Sequence, residues 1–562
     1  SSYNELAFGT KSLWDMKQVE IYRGAQSYAQ GRNAIAGAVV MTSNDPTQEW
    51  EGAAKLNMGN HRLAQTAALI SGPVVKDELA FRLSVDHQQR ETAVDLPHYD
   101  PVGNPRWFKA TNTRAKLLWT PSALPDLYSR LTFNHLNARA PQSETELQPN
   151  SPRYTPERPV FQTRSASTIW DIGYQLSERW KWENKLVYTQ FIYDRKTTSP
   201  FNTALPPNRR GVPARVDGNE FQIEPIVKYE SEKYRGLFGL FYFNAKQDES
   251  VTMLNGRIAR TPITTNFNDK TKTKAAFGEI TFTPDIPFEL TLSARYEQEH
   301  HQRKGKSAMF SINRDKKYNV FLPKADIAWK INDDQRLGFK VGKGYNPGGA
   351  GVTFGVPYTS YEYDAEYVWN YELYHRWTSA DKRLRINSNL FYNDYKDMQL
   401  PFTLGPNSIV IRNADKVVTY GAEINTEWQA TEKLALNAGI GMLKTDIKRY
   451  PNSGIEGNKL ARAPSFSGKV GANYRLLDHL EIGTNYSYNS SYYSTADNLA
   501  NGKVGHYDQF DVYLAYDFKH ARITLYADNV LNSRKDILLV PRSGDITRQP
   551  ERQIGLSTEL RF

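Results

Sequence analysis

Apolar and polar residues alternate with a period of two along most of this chain. Between Leu384 and Tyr392, the residues Leu384, Ile386, Ser388, Leu390 and Tyr392 share one face, and Arg385, Asn387, Asn389 and Phe391 share the other. Leu434, Leu436, Ala438, Ile440 and Met442 repeat the pattern, as do Leu480, Ile482, Thr484, Tyr486 and Tyr488. Alternation kept up over segments of ~10 residues predicts strands with one apolar and one polar face. No stretch sustains apolar residues at i, i+3 and i+4 between capping residues, so helices find no support. A water-soluble sandwich would alternate as well, and the separators discriminate. Short polar links, near Pro73–Glu78, Pro121–Asp126, Ser177–Trp180, Glu230–Arg235, Pro284–Phe288 and five further places, alternate with longer segments rich in Pro, Gly, Asn, Arg and Tyr. Examples of the longer segments are Pro141–Arg164, Pro200–Gly218, Val251–Lys270 and Arg303–Lys317. Tight turns on one side and long loops on the other are the asymmetry of a barrel that crosses an outer membrane. Ten short turns imply eleven long ones. The expected fold is therefore an all-β membrane protein, an antiparallel transmembrane β-barrel of about 22 strands with both ends on the periplasmic side.

One stretch departs from this pattern. Val19–Gly24 reads as a short strand ending in a glycine turn; Gln30–Ala38 is a connector of small residues; Val39–Ser43 is a second short strand. Arg23 and Arg32 put charge into an otherwise apolar, small-residue segment. A barrel of about 22 strands encloses a lumen wide enough to need a plug, and this segment is the candidate for part of one.

Composition narrows the class. Hydrophobic residues make up only 39% of the 562 residues, and the apolar run Ala34–Met41 falls far short of the ~20 residues of a membrane-spanning helix. Transmembrane strands carry no such signal, because lipid-facing and lumen-facing residues alternate. The 34 Tyr, 25 Phe and 11 Trp suit the aromatic girdles at the two bilayer interfaces. A net charge of +10 is spread along the chain with no concentrated basic arm, which argues against a nucleic-acid partner. With no cysteine, disulfides, thiolate metal sites and cysteine nucleophiles are excluded. No signal peptide is visible and residue 1 is not Met, as expected of a processed or trimmed chain.

Several motifs carry a resemblance. Val19–Ser43 resembles the end of the plug domain of TonB-dependent receptors, which reads V-E-hydrophobic-x-R-G, then G-R-N-A-I-x-G, then a strand. Glu366–Leu373 is similar to the family's E-x-x-x-N-Y-E-L strand, and Leu390–Gln399 to the segment that follows it. Asn413–Asp415 leading to Tyr420–Ile424, then Asp528–Asn532, continue the series in order. A strand ending on the aromatic Phe562 resembles the assembly signal of bacterial outer-membrane proteins. The resemblance implies a plug remnant over residues 1–48 inside a barrel over 49–562, in the outer membrane of a Gram-negative bacterium. It implies uptake of a ferric siderophore driven by TonB with ExbB and ExbD, through a TonB box missing from this chain. It also implies plug–barrel contacts between Arg23 and the barrel carboxylates Glu372 and Glu423. Haem, cobalamin or an oligosaccharide are the alternative ligands, and a passive porin-like channel is the alternative class.

Recognition is expected in the long loops. Basic candidates are Arg209, Arg215 and Arg257, with a further run from Arg303 to Lys306; aromatic candidates are Tyr345, Phe354, Tyr358, Tyr361 and Tyr363 in a glycine-rich segment. Tyr and Arg together suit a bulky chelate with aromatic or oxygen donors, with iron carried as ligand and no tightly bound cofactor. Basic loop tips equally suit the phosphates of lipopolysaccharide. His300 and His301 are adjacent on a strand and point to opposite faces, so they cannot share a metal. No catalytic Ser, His and Asp context is recognisable, so neither a metal site nor an enzyme is expected. A monomer is expected.

Overall fold

The computed structural model describes residues 12–23, 37–96, 103–146, 159–197, 212–253, 262–405, 408–541 and 544–562. Strands Phe288–Lys306 and Ser311–Asn332 show how alternation becomes a membrane wall. Leu290, Leu292 and Tyr296 are exposed on the first and Phe321, Ile327 and Trp329 on the second, whereas Ser293, Arg295 and Glu297 between them are buried. Register sets Phe288 against Trp329 and Tyr296 against Phe321. Opposed residues of an antiparallel pair point the same way, so these two aromatic pairs rim one outward apolar band. The span from Phe288 to Tyr296 covers roughly 26 Å along a tilted strand at ~3.3 Å per residue, the scale of the lipid-facing band of outer-membrane barrels.

Strands of this kind, 22 in all, run from Glu51–Gly59 to Gln553–Arg561 and form one closed antiparallel barrel. The last strand pairs with the first, from Ala53 opposite Arg561 to Gly59 opposite Gly555. Gly52 and Phe562 finish the seam by exchanging backbone hydrogen bonds of 2.8 and 3.0 Å. The Phe562 ring lies over Gly52, where a Cβ would come within 2.6 Å of it. Among the described residues the only helical element is the 3-10 turn Ala500–Gly502.

All ten expected short links fall at turns between consecutive barrel strands. The opposite side differs from expectation. Arg303–Lys317 is strand on both sides of a tight turn, Ser307–Phe310, closed by a 2.8 Å backbone bond from the Ser307 amide to the Phe310 carbonyl. Strand structure reaches Met253 and resumes at Ile263 inside the expected loop Val251–Lys270. Strands as long as the 22 residues of Ser311–Asn332 and Leu384–Gly405 exceed the ~9–11 needed to cross a bilayer. The excess forms a β-walled vestibule on the extracellular side. Polar residues replace apolar ones on the outer face above the aromatic rim, so the composition there reads as loop while the register continues unbroken.

A separate hairpin, Met16–Arg23 with Gly37–Ser43, lies outside the barrel sheet. The small-residue connector between its strands falls outside the described residues.

An arginine placed midway between the two aromatic rims has no water to reach. Leu292→Arg is expected to destabilise the barrel by about 2–4 kcal/mol, measured by urea unfolding in lipid vesicles, whereas the same substitution at Asn319, just above the outer rim, is expected to cost under about 1 kcal/mol.

Candidate functional site

Two constellations stand out inside the barrel. The first joins the separate hairpin to the inner wall. Alternation places Arg82 and Lys116 on the inner face, because Leu83 and Leu117 beside them are exposed on the outer one. Arg82 donates from Nε to Asp15 Oδ2 at 2.7 Å and from Nη2 to Oδ1 at 2.5 Å. Both side chains are buried, with 4% and 1% exposure. Arg82 Nη1 adds Glu51 on the first barrel strand, and the Asp15 carboxylate also accepts from Asn44 Nδ2 at 2.8 Å. Trp14 packs on Ala53, Ala67 and Leu69 and donates to the Ala68 carbonyl at 3.3 Å.

A second carboxylate of the same segment, Asp45, lies 3.0 Å from Lys116 Nζ and 2.9 Å from Arg130 Nε. Burial alone would raise the Asp45 carboxyl, but the hydrogen bonds and charges of Lys116 and Arg130 hold it below its ordinary value of 3.8. A lowered carboxyl stabilises the folded contact at pH values above the ordinary one, and that contribution is lost as pH falls through the lowered value. A cavity of about 750 Å³ remains between the hairpin and the wall, with Asp86, Arg114 and His135 among its lining residues. The inner interface is therefore polar and roomy enough for water.

The sequence had pointed to Arg23, Glu372 and Glu423 for this contact. The Arg23 side chain lies outside the described residues. Glu372 is on the inner face, where Lys340 on the neighbouring strand is 3.4 Å away, so a barrel lysine balances its charge. Glu423 is on the inner face of Ser408–Gln429, opposite in sense to the exposed Tyr420 and Ile424. The contacts that the structure does show join Asp15 and Asp45, which lie just outside the strands of the separate hairpin, to Arg82, Lys116 and Arg130 in alternating barrel strands. Lumen parity was the only signal in the sequence for the three barrel cations, and the two carboxylates had none.

The second constellation lies at the extracellular mouth. Strand Gln335–Asn346 pairs with Ser311–Asn332 only as far as Gly342 opposite Lys324, yet keeps pairing with Glu366–Thr378 up to Asn346. Released on one side, its end carries Tyr345 onto the inner wall. Tyr345, an aromatic candidate of the glycine-rich loop segment, is buried at 1% exposure, packed with Val320, Leu322 and Ala365, its hydroxyl donating to the Glu297 carboxylate. It supports the site from beneath.

Beyond it, Gly349–Val352 and Ser360–Tyr363 form a small hairpin with Gly349 opposite Tyr363 and Gly351 opposite Tyr361. Each tyrosine lies across the glycine it faces: a Cβ would come within 2.5 Å of the Tyr363 hydroxyl at Gly349 and within 2.6 Å of the Tyr361 hydroxyl at Gly351. The two rings stack at 6.3 Å. Burial holds both phenols above their usual range, so they are protonated donors at neutral pH. Val352 anchors the hairpin in an apolar cluster with Val251, Met253, Phe267 and Ile312, against which Tyr358 packs. Ser360 Oγ donates to the Ser311 carbonyl at 2.7 Å, and Gln399 Nε2 to the Pro347 carbonyl at 2.9 Å. Phe354 at the tip is 53% exposed.

Two arginines sit beneath this hairpin. Arg303 is not on a loop tip; it points inward, 2.5 Å from Asp269 and 3.0 Å from Glu249, with its guanidinium over the Phe267 ring. Arg314 is buried, donates to the Tyr318 hydroxyl, and is 3.6 Å from Glu362 of the hairpin. Arg215, expected at the ligand site, points away from the lumen, because Ala214 and Val216 on either side of it are buried inward. It lies 3.4 Å from Asp194. Arg209 and Arg257 lie outside the described residues. Among the described residues no group of three or more His, Asp or Glu could hold a metal ion.

Removing Asp15 leaves Arg82 buried without its bidentate partner, a loss expected to cost about 3–5 kcal/mol. Asp15→Ala should therefore raise amide hydrogen exchange across residues 14–23 and 40–47 while the barrel strands keep their protection.

Comparison with known proteins agrees with this architecture. The model of the family described as "TonB dependent receptor-like, beta-barrel" matches residues 99–532. The chain is 20% identical to the pesticin receptor of Yersinia pestis over 98% of its own length and 82% of the relative's. Its fold is similar to that of the ferric yersiniabactin uptake receptor FyuA from Yersinia pestis, with a TM-score of 0.83 at 18% identity over 98% of this chain and 86% of that one. It is also similar to the ferric-catecholate import receptor Fiu from E. coli K12, with a TM-score of 0.78 at 13% identity over 98% and 86%. The chain belongs to the TonB-dependent receptor family, whose members are outer-membrane receptors and transporters rather than enzymes.

Proposed function

We propose that this receptor binds a ferric siderophore at its extracellular mouth and imports it with energy delivered by TonB, ExbB and ExbD to a plug of which residues 1–48 form the end. The observation that carries the ligand reading is the inward-folded hairpin, which presents stacked Tyr361 and Tyr363 and an exposed Phe354 above the vestibule. Arg303 and Arg314 are already balanced by Asp269, Glu249 and Glu362. Among the described residues the hairpin thus offers aromatic faces and phenol donors in preference to uncompensated positive charge. A chelate with aromatic rings and a low net charge fits that surface best. The likeness to receptors whose names refer to ferric yersiniabactin and ferric catecholates supports the same ligand class. Iron is then cargo within the ligand, and the polar contact between plug segment and wall, with its cavity of about 750 Å³, suits a segment that must yield under force.

Tryptophan-fluorescence quenching tests the ligand class. Ferric chelates bearing aromatic donors should saturate, whereas haem, cobalamin and oligosaccharides should not; saturation by a metal-free ligand alone would overturn the proposal. Tyr361→Ala combined with Tyr363→Ala should weaken chelate binding by at least tenfold, about 1.4 kcal/mol, with the barrel still folded. Energy coupling is read separately: radiolabelled iron uptake should stop in cells lacking TonB while surface binding persists, and a large steady conductance in planar bilayers would favour a passive channel.

A further inference from the structure

Three of the sequence motifs meet where the mouth hairpin leaves and rejoins the wall. Glu366 opens one motif, Gln399 closes the next and Asn413 opens the third. Asn346 stands opposite Glu366, and Gln399 opposite Asn413. Backbone geometry aims the second pair. Asp397 has a positive φ of 60°, a conformation that Asp tolerates better than most residues. On one side of it Tyr395 is opposite Val417, on the other Met398 is opposite Ala414, and all four join one apolar cluster. Strict alternation would send the two pairs to different faces, so the strand turns over at Asp397. With Met398 and Leu400 committed to the cluster, Gln399 between them faces the other way, toward the ends of the hairpin segment.

Those ends are Pro347 and Asp364. The two arms run so close that a Cβ at Gly348 would collide with the Tyr363 carbonyl oxygen. The carbonyl oxygens of Pro347 and Asp364 converge there, and two acceptors cannot bond each other. Gln399 Nε2 donates to both, at 2.9 and 3.1 Å, one amide hydrogen for each. The Gln399 backbone amide donates to the Glu366 carboxylate at 2.9 Å, which also accepts from Asn346 Nδ2 at 3.2 Å. Asn413 secures the Asp364 end, donating to its carbonyl and accepting from its amide, both at 2.8 Å. Among these side chains only Gln399 bonds both ends. The hairpin itself pairs four residues on each strand, Gly349–Val352 with Ser360–Tyr363, and a two-stranded unit of that size is marginal by itself. On the reading of the hairpin as the chelate surface, on which this step rests, we propose that Gln399 is its positioning residue: the amide clasps the segment at its base and so fixes where Tyr361 and Tyr363 stand.

The test uses the full receptor in detergent, with amide exchange of residues 348–363 read beside the binding of a ferric chelate bearing aromatic donors. Gln399→Glu keeps the side-chain length but sets a carboxylate against two carbonyl oxygens. Exchange across the hairpin should rise, and chelate affinity fall, by about tenfold or more, while the barrel strands stay protected. Gln399→Lys, whose ammonium can again donate to both oxygens, should bring both readings back toward wild type. Saturating chelate should slow exchange in Gln399→Glu, because the ligand selects the competent hairpin; a general lesion of the wall would not respond. Unchanged exchange in Gln399→Glu, or faster exchange with wild-type affinity, overturns the proposal, and so does a lysine variant that restores neither reading. If the glutamate variant fails to fold, Gln399→Met, which removes the donors without adding charge, decides by the same two readings. Should wild type bind no ferric chelate, the ligand reading falls, and hairpin exchange alone decides the clasp.

Discussion

A peptide group in hydrocarbon has no water to bond with, so a spanning sheet must leave no unpaired edge. Here that constraint is met by one seam, the pairing of Glu51–Gly59 with Gln553–Arg561, residues almost a full chain length apart. Everything else depends on that closure. It fixes an inside and an outside, so that a period-two sequence sorts itself into a lipid-facing band rimmed by Phe288, Tyr296, Phe321 and Trp329 and an inner wall of charge and amide groups. The exchange of backbone bonds between Gly52 and Phe562 gives the terminal aromatic a structural part in the seam.

Closure also creates the environment in which the inner charges act. Removed from bulk water, Arg82 and Asp15 are held by geometry and by two extra hydrogen bonds, one that Asn44 donates to Asp15 and one that Glu51 accepts from Arg82. Such a pair adds little net stability, since desolvation offsets its Coulomb attraction, but it makes one docking of the segment much better than any other. Asp45 with Lys116 and Arg130 is a looser, wetter version of the same contact. An interface built this way is specific without being greasy.

At the mouth, local pairing decides which side chains line the vestibule. Because Gln335–Asn346 loses one neighbour above Gly342 while keeping the other, its end and the following hairpin turn into the vestibule. Gly349 and Gly351 let Tyr363 and Tyr361 lie flat on that hairpin, and a carboxylate meets each arginine below them. The same long strands that build the vestibule place Lys270, Lys272 and Lys274 on its outer surface while Thr271 and Thr273 between them are buried inward.

Period-two alternation and the ten short turns were enough to reveal the barrel, the strand number and the lipid-facing positions, because each depends only on local sequence and on a bilayer of fixed thickness. The unlike, small-residue stretch near Val19–Ser43 and the ordered motifs from Glu366 to Phe562 were enough to reveal the family. Other features depended on distant partners and were not legible. Nothing near Asp15 announces Arg82, and the Tyr345 hydroxyl finds Glu297 only once two strands have separated. Arg303 reads as a loop cation until register places it inward beside Asp269 and Glu249, and Arg215 reads the same way until parity turns it outward. The sequence by itself determined the kind of wall this protein builds, since alternation is local; which charges meet across the lumen, and which tyrosines reach the mouth, were decided only by the closed tertiary structure, because closure is what brings residues far apart in the chain into contact.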